Sequence, residues 1–173
     1  SSGSVEYHID SSTVSSGDLS SIAAIYNHEV LHSTATLDTD VRSDAEWQQW
    51  LSEQEPERYP AFVATDVDGA KVLGWSSLKR WSPRRGYDRC AEVSVYVHKD
   101  SRGMGVGRQL LENLIEAATE RGHGYLAARI GAASAASLKL HAKLGFEHVG
   151  TMRRVGEKFG EVVDVVLMGR ILS

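Results

Sequence analysis

Arg102-Gly103-Met104-Gly105-Val106-Gly107-Arg108 joins two stretches of different periodicity. Before it, Val93, Val95 and Val97 alternate as one face of a strand does. After it, Val106, Leu110, Leu114, Ile115 and Ala118 recur at helical spacing. Three glycines on alternate positions let the backbone come close to an anion. The free N–H groups of a helix's first turn and the flanking guanidiniums then favour negative charge there. The stretch reads as a cradle for a pyrophosphate. The alternative is a glycine-rich turn that only opens a helix, and the arginines on both sides weigh against it.

What is missing narrows the ligand. A P-loop ends in Gly-Lys-Ser/Thr, whereas Gly107 is followed by Arg108 and Gln109, which argues against nucleotide hydrolysis. A dinucleotide fingerprint needs a further glycine where Leu110 stands.

Around this junction the chain alternates strand and helix signals. Residues 5–9 alternate as a first strand, and residues 11–17 are a polar connection. Leu19, Ile22, Ala23, Ile25 and Tyr26 mark an amphipathic helix over 18–30. Ser43-Asp44-Ala45-Glu46 is a capping box opening a second helix with Trp47, Trp50 and Leu51 on one face, ending before Pro56. Residues 61–65 and 71–79 read as a hairpin around Asp68-Gly69. A loop over 81–86, a strand over 89–98, the cradle and its helix to Arg121-Gly122 follow. A strand over 125–130 and a helix over 134–144, closed by Gly145, precede a hairpin of 146–155 and 162–171 whose turn carries Lys158-Phe159-Gly160. Periodicity alone therefore gives a mixed α/β domain with the cradle at a strand-to-helix junction, where open sheets bind ligands.

Bulk properties agree with one domain over residues 1–173, with Ser1–Ser4 a frayed tail and not a signal peptide. Hydrophobic content of 42% and charged content of 24% are those of an ordinary globular chain. A net charge of −4 gives no reason to expect a nucleic acid or an anionic membrane as partner. No apolar run nears the roughly 18 residues of a membrane helix. The single cysteine, Cys90, forbids an internal disulfide, fits a reducing cytoplasm and reads as a thiol buried in a strand. No metal is expected. His28 and His32 are the one histidine pair at helical spacing, and they lack the acidic companion of a zinc site.

The loop resembles the Q/R-x-x-G-x-G/A acetyl-CoA loop of the GNAT superfamily of N-acetyltransferases. Ile25-Tyr26-Asn27-His28, Ser33-Thr34-Ala35-Thr36, residues 87–97 (YDRCAEVSVYV), Ala136-Ser137-Leu138-Lys139-Leu140-His141 and Leu144-Gly145-Phe146 are similar to its phosphinothricin acetyltransferase branch. The likeness runs from about Ile22 to Met168. It implies a mostly antiparallel central sheet flanked by helices, in the order β-α-α-β-β-β-α-β-α-β-β. It also implies transfer of an acetyl group from acetyl-CoA to the α-amine of a small amino acid or analogue, such as phosphinothricin or methionine sulfoximine. A cytoplasmic homodimer is the expected form. Acetylation of a protein N-terminus or a polyamine is the second reading, and Arg84 and Arg85 weigh against the polyamine. A non-catalytic acyl-CoA-binding module is the third.

Spacing and resemblance together nominate the site. Glu92 shares a strand face with Cys90, Ser94 and Tyr96, opposite Ala91, Val93, Val95 and Val97. Desolvation there would fit it for taking the amine's proton, as the family's general base does; a surface carboxylate is the alternative. His141 matches the branch's histidine before Gly145-Phe146, a partner for the leaving thiolate unless it only packs. The main chain of Val95, Tyr96 and Val97 matches the segment beside the pantetheine arm, where a strand can bond the arm's amides as it would another strand. Arg102, Gly103, Met104, Gly105, Val106, Gly107 and Arg108 are the cofactor cradle. Ser134 stands where the family has an Asn touching the cofactor, and Lys143 matches a cofactor-side position, though an exposed helix lysine reads as well. Arg85, Gly86 and Tyr87 match residues bordering the substrate, Arg suiting a carboxylate or phosphinate. Thr34 and Thr36 match the pocket wall; Leu37 and Val162 replace a family Phe and Trp.

Overall fold

In the computed structural model, which describes residues 7–10 and 12–173, strands and helices follow the order read from the sequence. The strands are β1 (Tyr7–Ile9), β2 (Ala61–Asp66), β3 (Val72–Arg80), β4 (Cys90–Val97), β5 (Tyr125–Gly131), β6 (Glu147–Lys158) and β7 (Glu161–Ile171). The helices are α1 (Leu19–His32), α2 (Asp44–Ser52), α3 (Val106–Glu120) and α4 (Ala135–Lys143). The tail expected at 1–4, the first two residues of the expected first strand, and Ser11 lie outside the described residues.

Local signals set several boundaries. Ser43 Oγ accepts the Glu46 N–H at 3.2 Å while the Glu46 carboxylate accepts the Ser43 N–H at 3.2 Å, so the capping box opens α2. The β6 strand runs three residues past the expected end at Val155. A register shift between Met152 and Gly156 puts Arg154 at φ 55, and its N–H donates to Asp164 Oδ1 at 2.7 Å, which carries the strand through the bulge.

Among the described residues the strands form one sheet in the order β1-β2-β3-β4-β5-β7-β6, antiparallel except at β4–β5. Alternation sorts the side chains onto two faces. On one, Leu111, Leu114, Ala117 and Ala118 of α3 pack on Leu78, Ala91, Val93, Leu126 and Ala128. On the other, Ile22, Ile25, Tyr26 and Val30 of α1 and Trp47 of α2 cover Val63 and Trp75. Tyr26 meets Trp47 edge to face at 5.5 Å, a geometry worth about 0.5–1.5 kcal/mol beyond buried area.

Two features position the site. A Cβ on Gly74 of β3 would lie 2.8 Å from the Tyr96 carbonyl oxygen, 3.0 Å from Leu110 Cδ1 and 3.2 Å from Val106 Cγ1. Its absence lets the first turns of α3 sit hard against the sheet, which fixes the height of the cradle. The second is a split. β4 and β5 pair only at Cys90↔Tyr125, Ala91↔Leu126 and Glu92↔Ala127. Past Glu92, β4 stays with β3 as far as Val97 and β5 stays with β7 as far as Gly131, so a wedge opens between them.

Candidate active site

The wedge is a cavity of about 180 Å³, walled by residues 93–97 of β4 and 128–131 of β5, with Ser134 and, from α4, Ser137 and His141 at one side and Glu29 and Arg102 at its mouth. Alternate backbone N–H and C=O groups of residues 93–97 face it, since β4 has no strand partner on that side. At its end lies the cradle. Gly103 (φ 77) and Gly105 (φ 82) hold the left-handed conformation that turns N–H groups inward, and Gly105 is the N-cap of α3. The first intrahelical bond runs from Gln109 N to Gly105 O, leaving the N–H groups of Val106, Gly107 and Arg108 without a helical acceptor. That array fits a diphosphate. Met104 is half-buried and Val106 buried, so these two contribute backbone to the loop.

Both expected arginines already carry an acidic partner. Arg102 Nη2 lies 2.5 Å from Glu29 Oε1, and the buried Glu29 also accepts from the Ser33 hydroxyl. Arg108 Nε is 2.8 Å from Glu112 Oε1 on the exposed helix surface. The backbone amides are therefore the least committed donors of the loop.

Glu92 is 6% exposed, at the point where the wedge begins. Burial does not act on it alone. Lys79 Nζ lies 3.3 Å from Oε1 and Arg129 Nε 3.3 Å from Oε2. A second cavity, of about 560 Å³, opens over the same face. Glu92, Lys79 and Arg129 lie along one side; Tyr26, Trp75 and Tyr96 form an aromatic side; Met152, Val155 and Val163 of the last hairpin close it. Thr34, Thr36 and Leu37 line it, whereas Val162 is half exposed and lies outside the lining. Ser94, Tyr96, Arg129 and Gly131 border both cavities, so the two meet beside Glu92. The Tyr26 hydroxyl joins Thr36 Oγ1 (3.0 Å), Asp38 and Arg42 Nη2 (3.3 Å) in one network. Burial pushes the Tyr96 phenol far above its ordinary range, so it stays protonated.

The bend at 33–37 is held from below. Lys158, buried at the end of β6, donates to the carbonyls of Ser33 (2.6 Å) and Thr36 (2.8 Å), where the C-terminal dipole of α1 also favours a cation. Burial pulls this ammonium below its ordinary pKa, and Asp38 and Glu29 oppose that.

His141 is buried beneath the wedge, edge-on to Phe146. Its Nδ1 is 2.8 Å from the Ser137 carbonyl, which can only accept, so Nδ1 carries the proton. Burial pushes the imidazole below its ordinary pKa, and the Ser137 bond only partly opposes this. The neutral ring therefore presents Nε2 as a lone pair. The ring's one proton is engaged by the Ser137 carbonyl. A pH dependence follows, because His123 is likewise buried and pushed down. The folded pKa of both lies below the unfolded value near 6.5, so the unfolded chain takes up protons first on acidification. Stability stays level above about pH 6.5 and falls as pH drops below it; urea midpoints measured from pH 8 to 5 will show that slope.

Other expected residues are scattered. Ser134 caps α4 but its side chain makes no capping hydrogen bond, which leaves the hydroxyl to the wedge. Lys143 is exposed and borders neither cavity. Arg85, Gly86 and Tyr87 form a short turn outside the second cavity, held where Arg80 pairs with Asp88 at 2.5 Å. Tyr87 instead lines a separate apolar cavity of about 280 Å³ with Trp81, Cys90 and Tyr125. Cys90 is half-buried, less than expected, and burial with nearby Glu92 pushes its thiol up to about 11, far from a nucleophile's range. Among the described residues no three His, Cys, Asp or Glu side chains converge as metal ligands, and no helix is long and apolar enough to cross a membrane.

Sequence reasoning missed Lys79, Arg129, Glu29 and Lys158. Arg129 had a signal, a lone charge in the apolar run Tyr-Leu-Ala-Ala-Arg-Ile. Lys79 had one in the hairpin register that sets it opposite Glu92.

Comparison with known proteins adds an independent line. Residues 12–167 match the family described as the acetyltransferase (GNAT) domain. An L-methionine sulfoximine/L-methionine sulfone acetyltransferase of Pseudomonas aeruginosa is 42% identical over 151 residues, 87% of each chain. A phosphinothricin N-acetyltransferase of Streptomyces coelicolor is 35% identical over 90% of this chain and 91% of its own. A phosphinothricin acetyltransferase of Sinorhizobium meliloti, solved in complex with acetyl-CoA, superposes with a TM-score of 0.91 at 34% identity, over 96% of this chain and 89% of its own.

Proposed function

Since this chain belongs to the GNAT acetyltransferase family, we propose that it moves the acetyl group of acetyl-CoA to the α-amine of a small amino acid or amino-acid analogue. The observation that carries the reading is the meeting of two cavities beside Glu92: a wedge ending in an amide nest, and an acceptor pocket walled by residues 34–37. Acetyl-CoA, when bound, supplies a thioester carbonyl as the electrophile. The Val95–Val97 main chain bonds the pantetheine arm as a strand would, and the nest of residues 103–108 takes the diphosphate. Ser134 Oγ offers one further polar contact from the helix cap.

Glu92 accepts a proton from the acceptor's ammonium and leaves a nucleophilic amine. His141 Nε2 takes the second proton that the nitrogen sheds as the C–N bond forms. It then holds that proton beside the departing sulfur, so the same ring that cannot donate at the outset does so at the end. We place the enzyme in the cytoplasm as a homodimer, with neither nucleic acid nor membrane as partner. The lone unpaired thiol and the net charge support the first and last of these. The exposed Val149, Met152 and Val155 on edge strand β6 support the second.

A thiol-release assay with acetyl-CoA tests the reaction. Methionine sulfoximine, phosphinothricin and one or more free amino acids accelerate CoA release, and an N-terminal peptide and spermidine do not. Acceleration by the peptide or spermidine alone would replace the acceptor assignment.

A further inference from the structure

The proposed reaction leaves two cations of the pocket without a stated purpose. Lys79, Glu92 and Arg129 stand on three neighbouring strands and on one sheet face. Lys79 pairs across from Glu92 in the β3–β4 register, Glu92 pairs with Ala127, and Arg129 is two residues on from Ala127. Each cation is 3.3 Å from a different oxygen of Glu92. The three are not equally hidden: side-chain exposure is 63% for Lys79 and 50% for Arg129, against 8% for Glu92. The carboxylate is in the floor and the cations rise from it.

The charges do not cancel. Two cations face one carboxylate, and the pocket's other acid, Asp38, is engaged by Arg42 at 3.3 Å and by the Tyr26 hydroxyl. Arg129 spends only Nε on Glu92, and its guanidinium lies 4.6 Å over the Trp81 ring, which fixes its plane. Its two terminal nitrogens have no acceptor among the described residues, the arrangement a forked contact to an oxyanion requires.

We propose that Lys79 and Arg129 form a clip for the acceptor's own acidic group, so that this pocket selects amines carrying a carboxylate beside the nitrogen. An α-amino acid has one carbon between its two charged groups. A carboxylate seated on the clip therefore sets its amine against Glu92, on the side where the wedge opens. The ligand brings the one negative charge that the trio lacks. Lys79 and Arg129 thereby take the role that the sequence assigned to Arg85, Gly86 and Tyr87, which lie outside this cavity.

This inference rests on the acetyltransferase reading, and the experiment separates the two. The wild type and the variants Lys79→Met, Arg129→Met and Arg129→Lys are assayed with the best α-amino acid acceptor and with its carboxamide. The readout is the ratio of kcat/KM for acid over carboxamide. The ratio falls about 10–100-fold in each methionine variant, the scale of one charged hydrogen bond, and less in Arg129→Lys, which keeps the charge and loses the fork. Both side chains are half exposed or more, so the variants fold; circular dichroism confirms it. An unchanged ratio overturns the clip, whether both rates drop together, as they would if the cations only positioned Glu92, or neither does. A wild type that acetylates neither acid nor carboxamide overturns the underlying reaction.

Discussion

Glu92→Gln lowers kcat by about 10²–10⁴-fold and leaves acetyl-CoA affinity nearly unchanged. Glutamine keeps the volume and a hydrogen-bonding carbonyl but cannot hold the amine's proton, so the loss falls on the chemical step. The affinity is spared because Glu92 lines the acceptor cavity and not the wedge. Lys79 and Arg129 lose their carboxylate in this variant, but each is at least half exposed and water takes over its solvation. Steady-state rates across neutral pH, alongside equilibrium titration with acetyl-CoA, check both halves. A rate that does not change would remove Glu92 from the chemistry.

Leu110→Ala destabilises the fold by about 2–5 kcal/mol and weakens acetyl-CoA binding with it. Leu110 is completely buried on α3, in a cluster with Ala64, Leu73 and Val106, and its Cδ1 lies over Gly74. Truncation leaves a void that the sheet cannot fill, because the nearest β3 position is a glycine. At about 2–4 °C per kcal/mol for a chain of this size, the melting temperature drops by about 4–20 °C. The same void frees the first turn of α3, which carries the nest, so the affinity for acetyl-CoA declines in parallel. Leu31→Ala, on an exposed residue of α1, serves as the control. Equal melting temperatures for Leu110→Ala and the wild type would show that the cradle is not anchored through this contact.

The parts of the fold that were legible in the sequence are those decided within a few residues. The Ser43 box, the glycines at 103 and 105, and the alternation that turns Glu92 and Val93 to opposite faces are local devices, and the structure follows each. What was illegible depends on partners brought together by the sheet. Arg129 reaches Glu92 only because β5 returns parallel to β4 after the whole of α3, a register no window of sequence contains. Lys158 meets the bend after α1 more than a hundred residues away, a contact fixed by topology. Arg85, Gly86 and Tyr87 show the converse: they are near β4 along the chain, yet the loop beside the Arg80–Asp88 pair sets them outside the second cavity. The His141 tautomer required seeing which atom of Ser137 its ring touches.

The three-residue seam between β4 and β5 has a mechanical consequence. It divides one sheet into two leaves, β1 to β4 and β5 with the terminal hairpin, stitched along a short line and bridged by helix packing. Such leaves are natural units of partial opening, since little main-chain bonding is lost when they part. A ligand lying in the gap would have walls from both leaves, residues 93–97 on one side and 128–131 on the other. Filling that gap therefore opposes the parting of the two leaves.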